Sequence, residues 1–338
     1  MAFQVRGLQK GELDGFLSCF QAAFGVDEHS LTIVRNSLVN DPYFHPDRVR
    51  VGLLDGVIVA EAVALHRAVY VGNQIVIVAG ITAVATHPFY QRRGFGTRVI
   101  QDLLRLIRQR GYELAMLTTR VPGFFARFGF REVPKVDGFE CPASALARLE
   151  IEAPCTIEKL DYNRDWPALA AIYHQYSQGR TGMQVRDLRS WETWPRRGTF
   201  PYGFSAQLDA CGLVGVVNGQ RVAYLAAHSP PEQRHLSVTE LAHLRRHEQG
   251  AVTLLREAAQ QFLKSGGGRA ILQMGGDAPV LNLLERQRVP VQVEVGPGLM
   301  VLVPNGEWIR RAGFRDQDDA IEHLFRSPIP VMWHRDGY

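Results

Sequence analysis

One segment of the chain combines two glycines with a polar and basic run at the start of a predicted helix. After the apolar, β-branched residues 81–86 come the polar and basic residues 91–93, and then Gly94 and Gly96. Glycines let the backbone approach a ligand closely, and the N–H groups of the first helical turn point outward without partners. Anions bind readily at this positive end of a helix. The pattern therefore predicts a site for a phosphate-bearing ligand.

The elements around this segment must hold it in place. Residues 74–86 predict a strand, residues 96–110 an amphipathic helix, and residues 113–119 a second strand. Two strands joined through a helix in this way run parallel, with a right-handed crossover. Upstream, the pattern predicts a strand at 3–8, helices at 11–24 and 28–38, and extended segments at 49–54, 57–65 and 68–71.

The glycine-containing segment resembles the acyl-CoA loop of the GCN5-related N-acetyltransferases (GNAT). Gln91, Gly94 and Gly96 fill the fixed positions of that family's Gln/Arg-x-x-Gly-x-Gly/Ala pattern. Residues 122–130, Pro-Gly-Phe-Phe-Ala-Arg-Phe-Gly-Phe, are similar to its second signature, Phe-Tyr-x-x-x-Gly-Phe. The resemblance implies that acetyl-CoA is the cosubstrate, bound between the fourth and fifth strands. The residues that we expect to bind it are Val84, Ala85, Thr86, Gln91, Arg92, Arg93, Gly94, Phe95, Gly96 and Thr97.

One departure from the family pattern concerns the general acid. The tyrosine that usually protonates the departing CoA thiolate falls on Phe125, which has no proton to donate. A thiol has a pKa of about 8.5, so the thiolate is a tolerable leaving group near neutral pH. General acid catalysis typically contributes about 10²- to 10⁴-fold in rate, so Phe125 predicts a slower enzyme or a substitute donor.

The general base is not specified by the sequence. An amine with a pKa near 10.4 must lose a proton before it attacks, yet residues 76–86 contain no carboxylate. Glu61 and the terminal carboxylate of Tyr338 are the two catalytic candidates, the second because the final carboxylate reaches the acetyl site in the enhanced-intracellular-survival acetyltransferases, a narrower group that the chain also resembles. Asp27, Glu28 and His87 are alternatives. Asp27 is more simply a helix cap and His87 a turn residue, and Glu61 could instead face solvent from an edge strand.

The second half of the chain repeats the order of the first without its loop. The pattern predicts helices at 166–178, 248–263 and 278–287, and strands at 156–160, 212–217, 221–228, 237–244, 269–274, 291–295 and 299–303. Where the first half has residues 91–96, the second has 245–250, with one glycine and the acidic Glu248. We therefore expect a degenerate, non-catalytic unit.

This tandem arrangement resembles the enhanced-intracellular-survival acetyltransferases. Residues 82–88 and residues 179–186 followed by Trp191 support the narrower resemblance. That family closes with a sterol-carrier-like domain, and since only residues 304–338 follow the second unit here, we expect no such domain. We therefore expect an α/β (α+β) protein of two GNAT-fold units, each a mixed, mostly antiparallel sheet flanked by helices. The expected domains are 1–140 with the loop, 155–303 as the degenerate unit, and 304–338 as a tail, with 134–154 as a separating passage.

Composition limits the other function classes. The net charge is +4, but the basic residues are spread along the chain, which argues against nucleic-acid binding. No apolar run approaches the roughly 18 residues of a membrane span, and the start of the chain has no export pattern, so we expect a cytoplasmic protein. The four cysteines are scattered, and the order His243, His247, Glu248 is not that of a zinc motif, so no metal is expected.

The resulting hypothesis is an N-acetyltransferase that moves acetyl from acetyl-CoA to a small amine-bearing acceptor by direct attack in a ternary complex. The alternative is a catalytically weakened acyl-CoA-binding or assembly protein, which Phe125 and the missing carboxylate favour. The sequence leaves the acceptor amine and any homo-oligomer open.

Overall fold

The computed structural model describes residues 2–71, 74–193, 210–229, 235–273, 278–325 and 329–330. The strands are β1 Phe3–Gly7, β2 Val49–Leu54, β3 Val57–Val71, β4 Gln74–Thr86, β5 Leu114–Thr118, β6 Arg131–Pro142, β7 Thr156–Lys159, β8 Ala210–Val217, β9 Gln220–His228, β10 His235–His243, β11 Arg269–Leu272, β12 Gln292–Leu302 and β13 Ile329–Pro330. The helices are α1 Leu13–Phe24, α2 Glu28–Val39, α3 Phe95–Gln109, α4 Pro122–Ala126, α5 Ala143–Leu146, α6 Tyr162–Ser177, α7 Leu188–Thr193, α8 Glu248–Lys264, α9 Ala278–Arg286, α10 Gly306–Arg311 and α11 Gln317–Leu324.

The strands form one continuous sheet in which the two halves of the chain exchange a strand. The order is β1-β2-β3-β4-β5-β12-β6-β11-β10-β9-β8-β7, with β13 beside β6. Strands β4 and β5 run parallel, as do β10 and β11, and their other neighbours along this path are antiparallel. The strand next to β5 is therefore β12 from the second half, and the strand next to β11 is β6 from the first. The expected fold class, α/β (α+β) with a mixed, mostly antiparallel sheet flanked by helices, is confirmed, and the sheets expected for the two units are joined into one.

Three local predictions are wrong. The expected break between 65 and 68 does not exist, because β3 pairs continuously with β4 through this region. The expected separating passage 134–154 contains most of β6 and α5. The two strands expected at 291–295 and 299–303 are one strand, β12, whose register shifts between Gly296 and Leu299. The division into 1–140 and 155–303 remains a prediction. If it holds, β12 of the second unit pairs with β5 of the first.

The two faces of the first half of the sheet are covered by different helices. The α3 face buries Val99, Leu103 and Ile107 against the sheet, together with Phe125 of α4. The opposite face is covered by α1 and α2, and by α10 and α11, which contribute Trp308 and Ile321. Alternate strand residues face opposite sides, so apolar residues on both sides of the central strands are buried. Among the described residues, none of the helices is both long and apolar enough to cross a membrane.

The segment similar to the narrower family joins the second half to β3. Gln184 forms a bridge with Val69, and the N–H of Val185 donates to the carbonyl of Ala68 at 2.7 Å. The N–H of Tyr70 donates to the carbonyl of Met183 at 2.8 Å. Residues 182–185 thus extend the sheet beside β3.

Candidate active site

A cleft opens where β4 and β5 stop pairing. The parallel register runs only from Val78 opposite Leu114 to Gly80 opposite Met116. Strand β4 then continues to Thr86, and β5 to Thr118. The N–H and C=O groups that face each other across this widening gap are available to a ligand, since an extended molecule can pair with a strand edge.

A bulge in β4 lies within this cleft. Glu61 pairs with Ala85 and Val63 with Thr82, so that Ala83 and Val84 together stand opposite one residue of β3. Ala83 has φ +49°, a left-handed conformation that is uncommon outside glycine. A bulge leaves a backbone group out of the ladder and can re-aim it. The backbone near Val84 is therefore the candidate oxyanion donor.

The loop at the end of β4 leads directly into the N-terminus of α3. Gly94 precedes the helix with φ +80° and leaves its first turn without a side-chain cap. Gly96 lies against β4, because a Cβ at this position would come within 2.8 Å of Thr86 Oγ1. The first-turn N–H groups of α3 face outward with no intrahelical acceptor, which is the geometry of an anion site.

The loop side chains add donors and positive charge around this helix end. Gln91 donates from Nε2 to the carbonyl of Thr86 at 3.3 Å. Arg92 and Arg93 are exposed, and the Arg93 guanidinium lies 5.1 Å from the centre of the Phe95 ring. The loop can thus present arginines to a pyrophosphate, for which their planar, permanently charged groups are suited.

Cleft and loop belong to one cavity of about 1540 Å³. Nine of the ten residues expected to bind acetyl-CoA line it, Arg93 being the exception. Its described wall is apolar and aromatic apart from threonines, Gln91 and five basic residues, and it includes no Asp, Glu or His. The basic residues are Arg67, Arg92, Arg120, Arg127 and Lys135.

Phe125 lines the cavity from α4 and is 4% exposed. Its ring makes edge-to-face contacts with Phe124 at 5.0 Å and Phe130 at 5.9 Å. The position that carries the family's acid is therefore inside the cleft but apolar. Tyr90, which precedes the loop, places a phenol in the wall.

Glu61 is fully buried and is not part of the cavity wall. It lies on β3 between β2 and β4, so the alternative that it faces solvent from an edge strand is wrong. Burial raises the pKa of this carboxyl well above its ordinary value, and its titrating neighbour is the Cys19 thiol, whose own pKa burial raises to about 12. Neither Glu61 oxygen makes a hydrogen bond within the described part of the chain. The burial of Glu61 disfavours a role as the general base. The assignment of Glu61 as the base remains a prediction.

The other carboxylate and histidine candidates have structural roles. Asp27 caps α2 by accepting the Ser30 N–H at 2.7 Å, and Glu28 accepts a bond from Gln21 at 2.8 Å. His87 accepts the Phe89 N–H at 3.4 Å in the turn before the loop. None of the three lines the cavity. Tyr338 lies outside the described residues.

The corresponding helix of the second half begins differently. At α8 the Glu248 side chain accepts the N–H of Arg246 at 3.2 Å, so a carboxylate occupies the helix start. Gly250 is buried inside the first turn. A negative charge at this point would repel a phosphate, which supports the expectation of a degenerate unit.

Sequence reasoning missed Arg67 and Lys135. Both line the cavity, at 2% and 5% exposure. Arg67 lies between Leu65 and Val69, which are buried on the same face, whereas Lys135 follows the buried Val133 in a strand that also contains Arg131 and Asp137. A cation within an apolar, alternating run was therefore an available signal for Arg67 and not for Lys135.

Comparisons with known proteins agree with this geometry. Residues 4–133 match the family model described as an acetyltransferase (GNAT) domain, as the loop motif predicts. No curated protein sequence matches the chain significantly.

Solved structures share the fold over nearly the whole chain. A GCN5-related N-acetyltransferase from Anabaena variabilis ATCC 29413 is 15% identical with a TM-score of 0.71, covering 90% of this chain and 73% of that one. A probable N-acyltransferase of unknown function from Enterococcus faecalis V583 is 13% identical with a TM-score of 0.69, covering 91% of this chain and 74% of that one. Eis1 from Mycobacterium abscessus is 17% identical with a TM-score of 0.63, covering 90% of this chain and 74% of that one. This chain thus shares the fold of these solved structures.

The family assignment supports acyl transfer from a CoA thioester to an acceptor as the class of reaction. Within the described residues, no three His, Cys, Asp or Glu side chains lie together as metal ligands would.

Proposed function

We propose that this protein is an N-acetyltransferase that moves acetyl from acetyl-CoA to a primary amine. The observation that carries the proposal is the coincidence of three features in one cavity: the gap after Gly80 and Met116, the bulge at Ala83, and the uncapped start of α3. Together they match the successive parts of acetyl-CoA, which are an amide-containing arm, a thioester and a pyrophosphate.

Each part of the ligand then has a partner of suitable chemistry. The pyrophosphate binds the first-turn N–H groups of α3 and Arg92. The pantetheine amides pair with the backbone of residues 84–86, as a strand would. This placement brings the thioester to the bulge, where the backbone near Val84 donates to the carbonyl oxygen.

The reaction is a direct transfer in a ternary complex. The nitrogen lone pair of the amine attacks the thioester carbon, and the negative charge that develops on the oxygen is stabilised by the backbone donor at the bulge. The carbon–sulfur bond then breaks, and the electron pair leaves with the CoA sulfur as a thiolate. The amine proton passes to solvent water, because the described cavity wall offers no carboxylate or imidazole to accept it.

The second half of the chain acts as a non-catalytic partner in this proposal. It contributes β12, which covers β5, and its own helix start at α8 is blocked by Glu248. We place a single acetyl-CoA in the first half.

Acetyl-CoA binding tests the first step of the proposal. A ligand at about 100 times its dissociation constant stabilises a protein by about 2.7 kcal/mol. We therefore expect both acetyl-CoA and CoA to raise the unfolding temperature, and mass spectrometry to detect acetylated products from an amine panel. A melting curve unchanged at millimolar acetyl-CoA would reject the proposal.

The second candidate function is an acyl-CoA-binding or assembly protein with little turnover. The apolar Phe125 and the absence of an acidic side chain from the described cavity wall favour it. It predicts tight binding of CoA and no acetylated product from any amine, which separates it from the first candidate in the same experiment.

A further inference from the structure

The basic residues of the cavity wall form two groups on opposite faces of the sheet. Arg92 belongs to the loop before α3, and Arg120 and Arg127 flank α4. Helices α3 and α4 pack on the same face, since Phe125 and the α3 side chains share one buried cluster. These three cations lie where the proposed function places CoA, whose phosphates they would neutralise.

Arg67 and Lys135 form the second group. Alternate strand residues share a face, so Arg67 lies on the same side as Val69, and Lys135 on the same side as Val133. Both valines are buried in the cluster under α10 and α11, on the face away from α3. Val78, also in that cluster, contributes to the cavity wall as well. The second group therefore lies at the end of the cavity opposite the CoA phosphates.

The Arg67 guanidinium is held in a fixed position, and Lys135 is buried. Asp41 forms a salt bridge with the Arg67 guanidinium, which also donates to the His66 carbonyl at 2.9 Å. Asp41 is itself buried and is not in the cavity wall, so the arginine stands between this carboxylate and the cavity. Lys135 lies in the middle of the sheet, on β6 opposite Gly296 of β12. A charge anchored by its surroundings is better organised for binding than one on a mobile surface chain.

The charge of the side chains that line the cavity selects among amine acceptors. A polycationic acceptor needs carboxylates around it, whereas the described wall has five cations and no carboxylate, and of these cations Arg67 is paired with Asp41 behind it. A carboxylate, in contrast, forms short charge-assisted hydrogen bonds with guanidinium and ammonium groups. We propose that the acceptor is an amine that also carries a carboxylate, which binds at Arg67 and Lys135 while the amine faces the thioester. This inference rests on the proposed function.

The test compares acceptors of matched size with and without the carboxylate, with kcat/KM expressed per unprotonated amine because amidation also lowers the pKa of the amine. Glycine and glycinamide represent free amino acids, and glycylglycine and its terminal amide represent peptide ends, with spermidine as the polycation. We expect kcat/KM to favour the acids over their amides and spermidine, and the preferred acid to show which source fits. If the amides or spermidine react faster, the inference is overturned.

Lys135→Met tests the residue, because methionine keeps a similar length without the charge. We expect kcat/KM to fall about 10-fold or more for the acids and less than about 2-fold for the amides. For each acceptor the variant is compared with the wild type, and these two kcat/KM ratios are then compared between acid and amide, so that the different basicities of the amines cancel. Lys135→Arg should keep the acid preference, and Lys159→Met, an exposed lysine on β7, should change nothing.

The outcomes separate the two proposals. An equal loss for acids and amides overturns the role of Lys135 but leaves acetyl transfer intact. If acetyl-CoA binds but no acceptor of either class reacts, the binding-protein function replaces both. If Lys135→Met fails to fold, the preference of the wild-type protein for acids or amides decides alone.

Discussion

The burial of Glu61 has a consequence for stability that can be measured. Its carboxyl is fully buried, and its pKa is raised well above the ordinary value because desolvation disfavours the charged form. The folded protein therefore binds the proton more tightly than the unfolded chain does. The stability contributed by the protonated carboxyl is fully present below the unfolded pKa of about 4.3 and is lost as pH rises through the folded pKa.

Glu61→Gln removes this titration while nearly keeping the size of the side chain. Between the unfolded and folded pKa values, each pH unit lowers the unfolding free energy of the wild type by about 1.4 kcal/mol, and the variant has no such slope. We expect the two proteins to be similar near pH 4.5. The variant should gain about 1.4 kcal/mol per pH unit over the wild type until the folded pKa is reached.

Urea unfolding at pH 5, 6, 7 and 8 measures this difference. Glu28→Gln, an exposed residue on α2, is the matched control and should show no comparable slope. A difference between Glu61→Gln and wild type that is independent of pH would refute the reasoning. The same variant tests catalysis, because loss of a general base should lower kcat by about 10²- to 10⁴-fold, whereas we expect little change.

Four further predictions concern the cleft. Gly94→Val strains a residue with φ +80°, and Gly96→Val drives a side chain towards Thr86 Oγ1. Both variants should therefore abolish CoA binding, measured by calorimetry. The control Gly250→Ala, whose Cβ meets its nearest neighbours at 3.5 Å, should bind CoA normally. Phe125→Tyr should raise kcat by up to about 10², measured with a reactive amine. Loss of activity with intact binding would mean that the hydroxyl is buried without a partner or that another acid already serves. Without a carboxylate base, log(kcat/KM) should rise about one unit per pH unit towards the amine pKa, and a plateau starting near pH 5 would contradict this. Amidation of the C-terminus removes the Tyr338 carboxylate while keeping the residue, and unchanged kcat would exclude that carboxylate as the base.

The sequence determined the local parts of this protein. The motif around Gly94 and Gly96 predicted a loop at a helix start, and β4 spans the predicted residues. The cap at Asp27 was also predictable, because an acidic side chain bonding to a nearby N–H is a contact within three residues. Such features depend on the order of neighbouring residues, and no distant part of the chain changes them.

Only the tertiary structure decided which strands and side chains that are distant in the sequence become neighbours. The exchange of β6 and β12 could not be read from either strand, because any strand of suitable pattern can pair with β5. The burial of Glu61 follows from β2 and β4 closing around β3. Arg67 and Lys135 are far apart in the chain and share one cavity wall because five adjacent strands, β3 to β6 with β12 among them, bring them to the same face. These pairings are contacts of long sequence separation, which local patterns do not encode.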